Sequence, residues 1–178
     1  ASVKEDAQRF GELAQEFGGT GFDWASTPED RAALWKMRHG AYRACLALRP
    51  GATAVVTDVC VPMSHLPAAV AAAAEDIREA GLIGPMVGHV GDGNFHSQLL
   101  IMPGDQAELA AAKRVATRMA ERALAVGGTI TGEHGVGVGK RPLMRAQHGE
   151  AVKVMAAIKA ALDPEGIMNP GKLVPDVN

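Results

Sequence analysis

The dipeptide Asp92-Gly93 sits between two β-prone runs, residues 82–90 and 94–103. Asp-Gly is a strong signal for a two-residue hairpin, because both central positions of a type I′ turn need φ > 0. Strands joined this tightly are antiparallel, whereas a parallel pair needs a crossover of a dozen residues or more. The hairpin is embedded among helical patterns. Residues 4–17 read as a helix stopped by Gly18-Gly19, and Thr27-Pro28-Glu29-Asp30 opens one running to about Leu46. In that second start Thr27 caps the first amides, Pro28 suits the first turn and the acids suit the positive end of the dipole. Ser64 to Ala80 is a third helix, with Leu66, Val70, Ala74 and Ile77 on one face. Asp105-x-x-Glu108 opens a fourth in the manner of a capping box, with Leu109, Ala112, Ala116, Met119 and Ala123 as its buried stripe and Gly127-Gly128 as its stop. A last helix covers about 149–162, and the tail PEGIMNPGKLVP holds too many turn formers to be regular. Further strands are expected over 52–61 and about 129–132. The fold class is therefore α+β, an antiparallel sheet flanked by helices.

Composition narrows the function. The 178 residues are 47% hydrophobic and 21% charged, which suits a globular domain with a sizeable core. Aromatics are only 4%, so that core is built mainly from Ala, Val, Leu, Ile and Met. A net charge of -2 offers no basic face to compensate phosphates, so nucleic acid is not an expected partner. No apolar run approaches the roughly 20 residues that span a bilayer, and no signal-peptide pattern opens the chain. The expected location is cytoplasmic or peripheral to a membrane. Cys45 and Cys60 lack C-x-x-C spacing and read as free thiols.

The hairpin carries the chemistry. With the turn centred on Asp92-Gly93, Gly91 faces Asn94, Val90 faces Phe95 and His89 faces His96. Directly opposed residues project from one face with Cβ atoms roughly 4.5–5.5 Å apart, close enough for two imidazoles to share an ion. Two ligands are too few for a firm divalent site. The stretch GEHG at 132–135 offers Glu133 and His134, and two histidines with one carboxylate leave positions open for a substrate. Zinc, manganese and iron suit that set nearly equally. Neighbours in extended backbone point opposite ways, so one of Glu133 and His134 is expected on the ion and the other at the substrate. A carboxylate on the metal and a histidine as base is the preferred split, since a nearby cation favours the neutral ring that base chemistry needs. Spacing alone leaves open a hairpin with a polar face and no ion. His39, His65 and His148 have no such partners, and Asp92 and Asn94 read as turn residues.

Four stretches, TDVCVPMSHLP, GHVGDGNFH, GGTITGEHGVGVGKR and LDPEGIMNPGKL, together resemble the C-terminal half of the FAD-linked 2-hydroxy-acid dehydrogenases and oxidases. The likeness runs from about Phe22 to Val174 and is greatest to the cytochrome-type D-lactate dehydrogenase branch. The glycolate oxidase FAD subunit and D-2-hydroxyglutarate dehydrogenase are further branches. The resemblance implies that residues 1–108 are the second part of a substrate (cap) domain and 109–178 a helical, glycine-rich segment completing the active site, with the FAD-binding domain absent from this chain. It assigns a divalent metal to His89, His96 and Glu133, the catalytic base to His134, the substrate carboxylate to Arg38 and proximity to the flavin to Asn169. FAD would be bound mainly outside this chain. Electrons would pass to a cytochrome, a quinone or an electron-transfer flavoprotein, and homo-oligomerisation is a further partner expectation. Diacid-using branches carry a basic residue where this chain has Val55-Val56-Thr57, so a small monoacid such as D-lactate is the expected substrate. The competing expectation is a standalone metal- or ligand-binding or interaction module without catalysis, or a glycolate oxidase-type subunit.

Overall fold

The computed structural model describes residues 2–175 and divides the chain into two compact units, Ala1–Ala44 and Cys45–Asn178. In the first unit, α1 (Val3–Glu16) begins with a capping box. Ser2 Oγ accepts the Glu5 amide at 3.3 Å, and Glu5 Oε2 accepts the Ser2 amide at 2.8 Å. The helix ends where Gly18 takes φ +79°. Phe10 and Phe22 pack with ring centroids 5.2 Å apart. The helix α2 (Pro28–Ala47) starts as its sequence predicts, with Thr27 Oγ1 accepting the Asp30 amide at 3.1 Å.

The second unit holds the sheet. Its strands are β1 (Thr53–Val56), β2 (Val59–Cys60), β3 (Met86–His89) and β4 (Asn94–Ile101). All pairings are antiparallel and all involve β4, which is buried from end to end. The helices α3 (Leu66–Glu79) and α4 (Gln106–Ala125) pack on the sheet, and α5 (Met144–His148) and α6 (Ala151–Leu162) follow. The α+β class is thus realised as an antiparallel sheet flanked by helices. Period-two alternation splits β4 into two faces. Phe95, Leu99 and Ile101 join the apolar core with Val115, Met119 and Ile130, while Asn94 and His96 lie on the opposite face.

Several local expectations change. The strand expected over 52–61 is interrupted at Thr57-Asp58, yet β1 and β2 keep one unbroken register along β4, Val56 opposite Gln98 and Val59 opposite Phe95. Thr57 bridges the gap: its amide donates to the Ser97 carbonyl at 2.9 Å and its hydroxyl accepts the Ser97 amide at 2.8 Å. The expected strand at 129–132 reduces to a bridge between Cys60 and Thr129. On α3 the buried face includes Leu66, Ala73, Asp76 and Ile77, with Ala74 exposed. Burial follows the two α4 arginines that meet Asp76: Arg118 lies 2.7 Å from it and Arg122 also bonds it. Asp105 caps α4 through the Ala107 and Glu108 amides, both at 2.9 Å. Glu108 does not return to it, because a two-bond pairing with Arg49 at 2.8 and 3.0 Å holds that side chain. Cys45 and Cys60 are free. Among the described residues, no helix is long and apolar enough to cross a membrane.

Candidate metal centre

The hairpin register is the first correction. His89 pairs with Asn94, Gly88 with Phe95 and Val87 with His96. The connection is a 3-10 turn, Val90–Asp92, closed by Gly93 at φ +72°. Only glycine fits there, since a Cβ on Gly93 would lie 2.0 Å from the Val61 carbonyl oxygen. The register differs from the two-residue turn by two positions. Because side chains repeat every two residues, His89 and His96 still project from the same face, now as diagonal neighbours. Their rings meet edge to face at 5.8 Å between centroids.

Glu133 completes the group. Its Oε1 lies 2.9 Å from His96 Nε2 and 3.1 Å from His89 Nε2. His89, His96 and Glu133 each offer one ligand atom, all within 4.8 Å of one another. Tetrahedral ligands at zinc-like bond lengths of about 2.1 Å stand roughly 3.4 Å apart, so the spacing fits a small divalent cation. A second observation agrees. His96 is 5% exposed, and both its ring nitrogens are buried without a hydrogen-bond partner. Such orphaned atoms are costly unless something else satisfies them, and a cation on Nε2 would do so. Burial would lift the Glu133 carboxyl, but the His89 hydrogen bond and the charges of His89 and His96 outweigh it and hold the group below its usual range.

His134 is the second correction. Its side chain does not point away from Glu133. Its ring stacks on His96 at 4.7 Å, and its Nε2 is 3.5 Å from Glu133 Oε1. The reason is a buried acid that the sequence analysis did not select. Asp58, 2% exposed, accepts the backbone amides of Gly132, Glu133 and His134 on one oxygen at 3.0, 3.1 and 2.9 Å. Three consecutive amides on one carboxylate curl the loop, so neighbouring side chains converge. The same carboxylate accepts Thr131 Oγ1 at 2.8 Å and Asn94 Nδ2 at 2.9 Å. Lys140 Nζ donates to the Asp58 carbonyl at 2.8 Å. Burial would raise the Asp58 carboxyl, yet the His134 amide, Asn94, Thr131 and Lys140 together hold it far below the ordinary carboxylate range. Burial pushes the Lys140 amine down, and Asp58 offsets that only in part. Asn94, read from sequence as a turn residue, is instead a buried strand residue that also bonds the Val59 carbonyl at 2.9 Å. One signal was available in the sequence: an acid inside the β-branched run TAVVTDVCV is either an edge residue or a paired, purposeful one.

Two further expected residues are not among these candidate ligands. Arg38 is in the first unit, exposed on α2, with its guanidinium 5.1 Å from the Trp35 ring centre. Asn169 is exposed in the turn after α6 at φ 47°, and its side-chain oxygen accepts Lys172 Nζ at 3.2 Å. Beside the loop opens a cavity of about 580 Å³, lined by Val55, Val56 and Thr57, by Lys113 and Thr117 of α4, and by His134.

Comparison with known proteins gives a consistent set of matches. The family model described as "FAD linked oxidases, C-terminal domain" matches residues 1–173. "Probable D-lactate dehydrogenase, mitochondrial" of Danio rerio is 46% identical over 174 residues, 97% of this chain and 35% of that protein. "D-lactate dehydrogenase [cytochrome], mitochondrial" of Arabidopsis thaliana is 40% identical over 176 residues, 98% of this chain and 31% of that protein. "Glycolate oxidase subunit GlcD" of Escherichia coli K12 is 31% identical over 179 residues, 100% of this chain and 36% of that protein. The chain thus spans about a third of the length of these relatives.

Proposed function

The chain belongs to the C-terminal domain family of the FAD-linked oxidases, and from that premise we propose that it is the substrate- and metal-binding portion of an FAD-dependent dehydrogenase. The reaction is oxidation of a small D-2-hydroxy acid, D-lactate first, to the 2-oxo acid. The observation that carries this reading is the convergence of His89, His96 and Glu133 beside His134. When bound, a divalent cation (zinc, manganese or iron) supplies Lewis acidity toward a 2-hydroxyl, and the flavin supplies a two-electron acceptor.

The chain's own residues have separate tasks. His89, His96 and Glu133 hold the cation. His134, with its ring stacked on His96, takes the hydroxyl proton on its imidazole nitrogen. Asn94 and Gly132 pack tightly behind the loop, since a Cβ on Gly132 would lie 1.9 Å from Asn94 Nδ2. The substrate-carboxylate role of Arg38 and the flavin-side role of Asn169 rest on the family resemblance alone. So does the division at 108/109 into cap domain and C-terminal segment, as does transfer of electrons to a cytochrome, quinone or electron-transfer flavoprotein.

Val55-Val56-Thr57, where diacid-using branches carry a basic residue, offers no cation for a second carboxylate, which favours a monoacid. Lys113 and Lys140 line the cavity beside these residues, so a diacid is the competing substrate class. The test is turnover by the full-length protein with a dye acceptor, using D-lactate, L-lactate, glycolate and D-2-hydroxyglutarate. Highest kcat/KM for D-lactate is expected. Preference for the diacid would overturn the monoacid reading, and no turnover of any 2-hydroxy acid would overturn the function.

A further inference from the structure

We propose that Asp58 is the positioning residue of the metal centre, a single carboxylate that orients His96 through Nδ1 and the Glu133–His134 loop through its amides. The inference deepens the metal reading above and rests on it. Asp58 falls in the gap between β1 and β2, where the shared register sets it across from His96. Thr57 takes over the ladder bonds there, which frees the next side chain for another task. Asp58 Oδ1 lies 3.4 Å from His96 Nδ1, and Glu133 Oε1 lies 2.9 Å from His96 Nε2. As placed, neither ring nitrogen makes a hydrogen bond; a small rotation of the ring that directs Nδ1–H at Asp58 and the Nε2 lone pair at a cation shared with Glu133 would satisfy both. Histidines that hold metals commonly give their other N–H to a carboxylate, which fixes the tautomer and the ring plane. Asp58 Oδ2 meanwhile gathers the amides of Gly132, Glu133 and His134. One group therefore sets the relative position of a ligand on β4 and a ligand on a loop more than thirty residues later in the chain.

A purely structural anchor would stabilise the loop without affecting the ion. Cobalt(II) distinguishes the two, since its visible absorption reports ligand geometry independently of turnover. Metal-free full-length protein is titrated with cobalt(II) as wild type, Asp58→Asn and Lys140→Met, with thermal midpoints measured alongside. Lys140→Met removes another partner of Asp58 without touching His96. Asp58→Asn should bind cobalt(II) about 10–100-fold more weakly and shift its visible bands, the range typical for loss of such a partner. Lys140→Met should lower the midpoint and leave cobalt(II) affinity within about threefold, which supports the proposal. Unchanged affinity and spectrum in Asp58→Asn, with only the midpoint lowered, would overturn it. Should Asp58→Asn fail to fold, nitrogen-15 and proton NMR of His96 in zinc-loaded wild type decides. Zinc on Nε2 with a hydrogen-bonded Nδ1–H supports the proposal, and zinc on Nδ1, or an Nδ1–H that makes no hydrogen bond, overturns it. Wild type that takes up no cobalt(II) would instead sink the metal reading itself, so the two failures are distinct.

Discussion

The His134 amide donates to Asp58 Oδ2 at 2.9 Å across 76 residues of sequence. Around that bond the same oxygen takes the Gly132 and Glu133 amides and the Thr131 hydroxyl. Removing the acceptor leaves these donors without their shared partner, while Lys140 loses its 3.4 Å contact with Oδ2 and keeps its bond to the Asp58 carbonyl. Asp58→Ala should therefore destabilise the fold by about 3–5 kcal/mol, the range for breaking a buried charged network. Urea denaturation checks it, and a loss under about 1 kcal/mol would mean that water takes over the bonds.

His89→Ala/His96→Ala should abolish metal uptake while the helical content survives. His89 and His96 are on a strand pair whose core face is Phe95, Leu99 and Ile101, so the change leaves that packing in place. Elemental analysis beside circular dichroism reads both effects. Metal retained at the wild-type level would remove the ion from the hairpin.

His134→Ala separates the base from the ligands. With His89, His96 and Glu133 intact, metal content should stay near wild type while kcat falls by about 10²–10⁴, the scale of lost general base catalysis. If metal leaves with His134, the third imidazole around Glu133 Oε1 is a ligand, and the division of roles must be redrawn.

Gly93→Ala should disrupt the hairpin. Its Cβ would meet the Val61 carbonyl oxygen at 2.0 Å, and its φ of +72° already disfavours an L side chain. A cost of about 1–3 kcal/mol is expected, the range for forced overpacking. Thermal denaturation of Gly93→Ala beside Gly91→Ala is the check, because a Cβ at Gly91 meets open space. Equal midpoints would be inconsistent with the close approach at Gly93.

Asp163 supplies a pH dependence away from the metal centre. The Lys159 hydrogen bond first, then the Met168 and Ile167 amides, hold its carboxyl below the ordinary value of 3.8. A depressed folded-state pKa stabilises above the unfolded value and loses that contribution as pH falls through the folded one. The difference in thermal midpoint between wild type and Asp163→Asn should therefore be full at neutral pH and shrink below about pH 4. A difference that grows on acidification would reverse the sign and exclude the pairing.

Local chemistry was enough for α1, α2, α3, α4 and α6, though not for the short α5, and for the caps at Thr27 and Asp105 and the antiparallel hairpin, because each depends on residues within a few positions. The same reasoning selected His89, His96, Glu133 and His134, and three of these converge as one group of possible ligands. The turn type was misjudged, but a two-residue change of register keeps every side chain on its face. Asp58 was not legible. Its role depends on a strand interruption and on amides more than seventy residues away, and neither leaves a local pattern. The opposed directions expected of Glu133 and His134 failed for the same reason, since an acid from another strand curls their backbone. Sequence determined which side chains could do chemistry. Tertiary structure decided how they are aimed, because one buried carboxylate gathers amides that only the folded chain brings within reach.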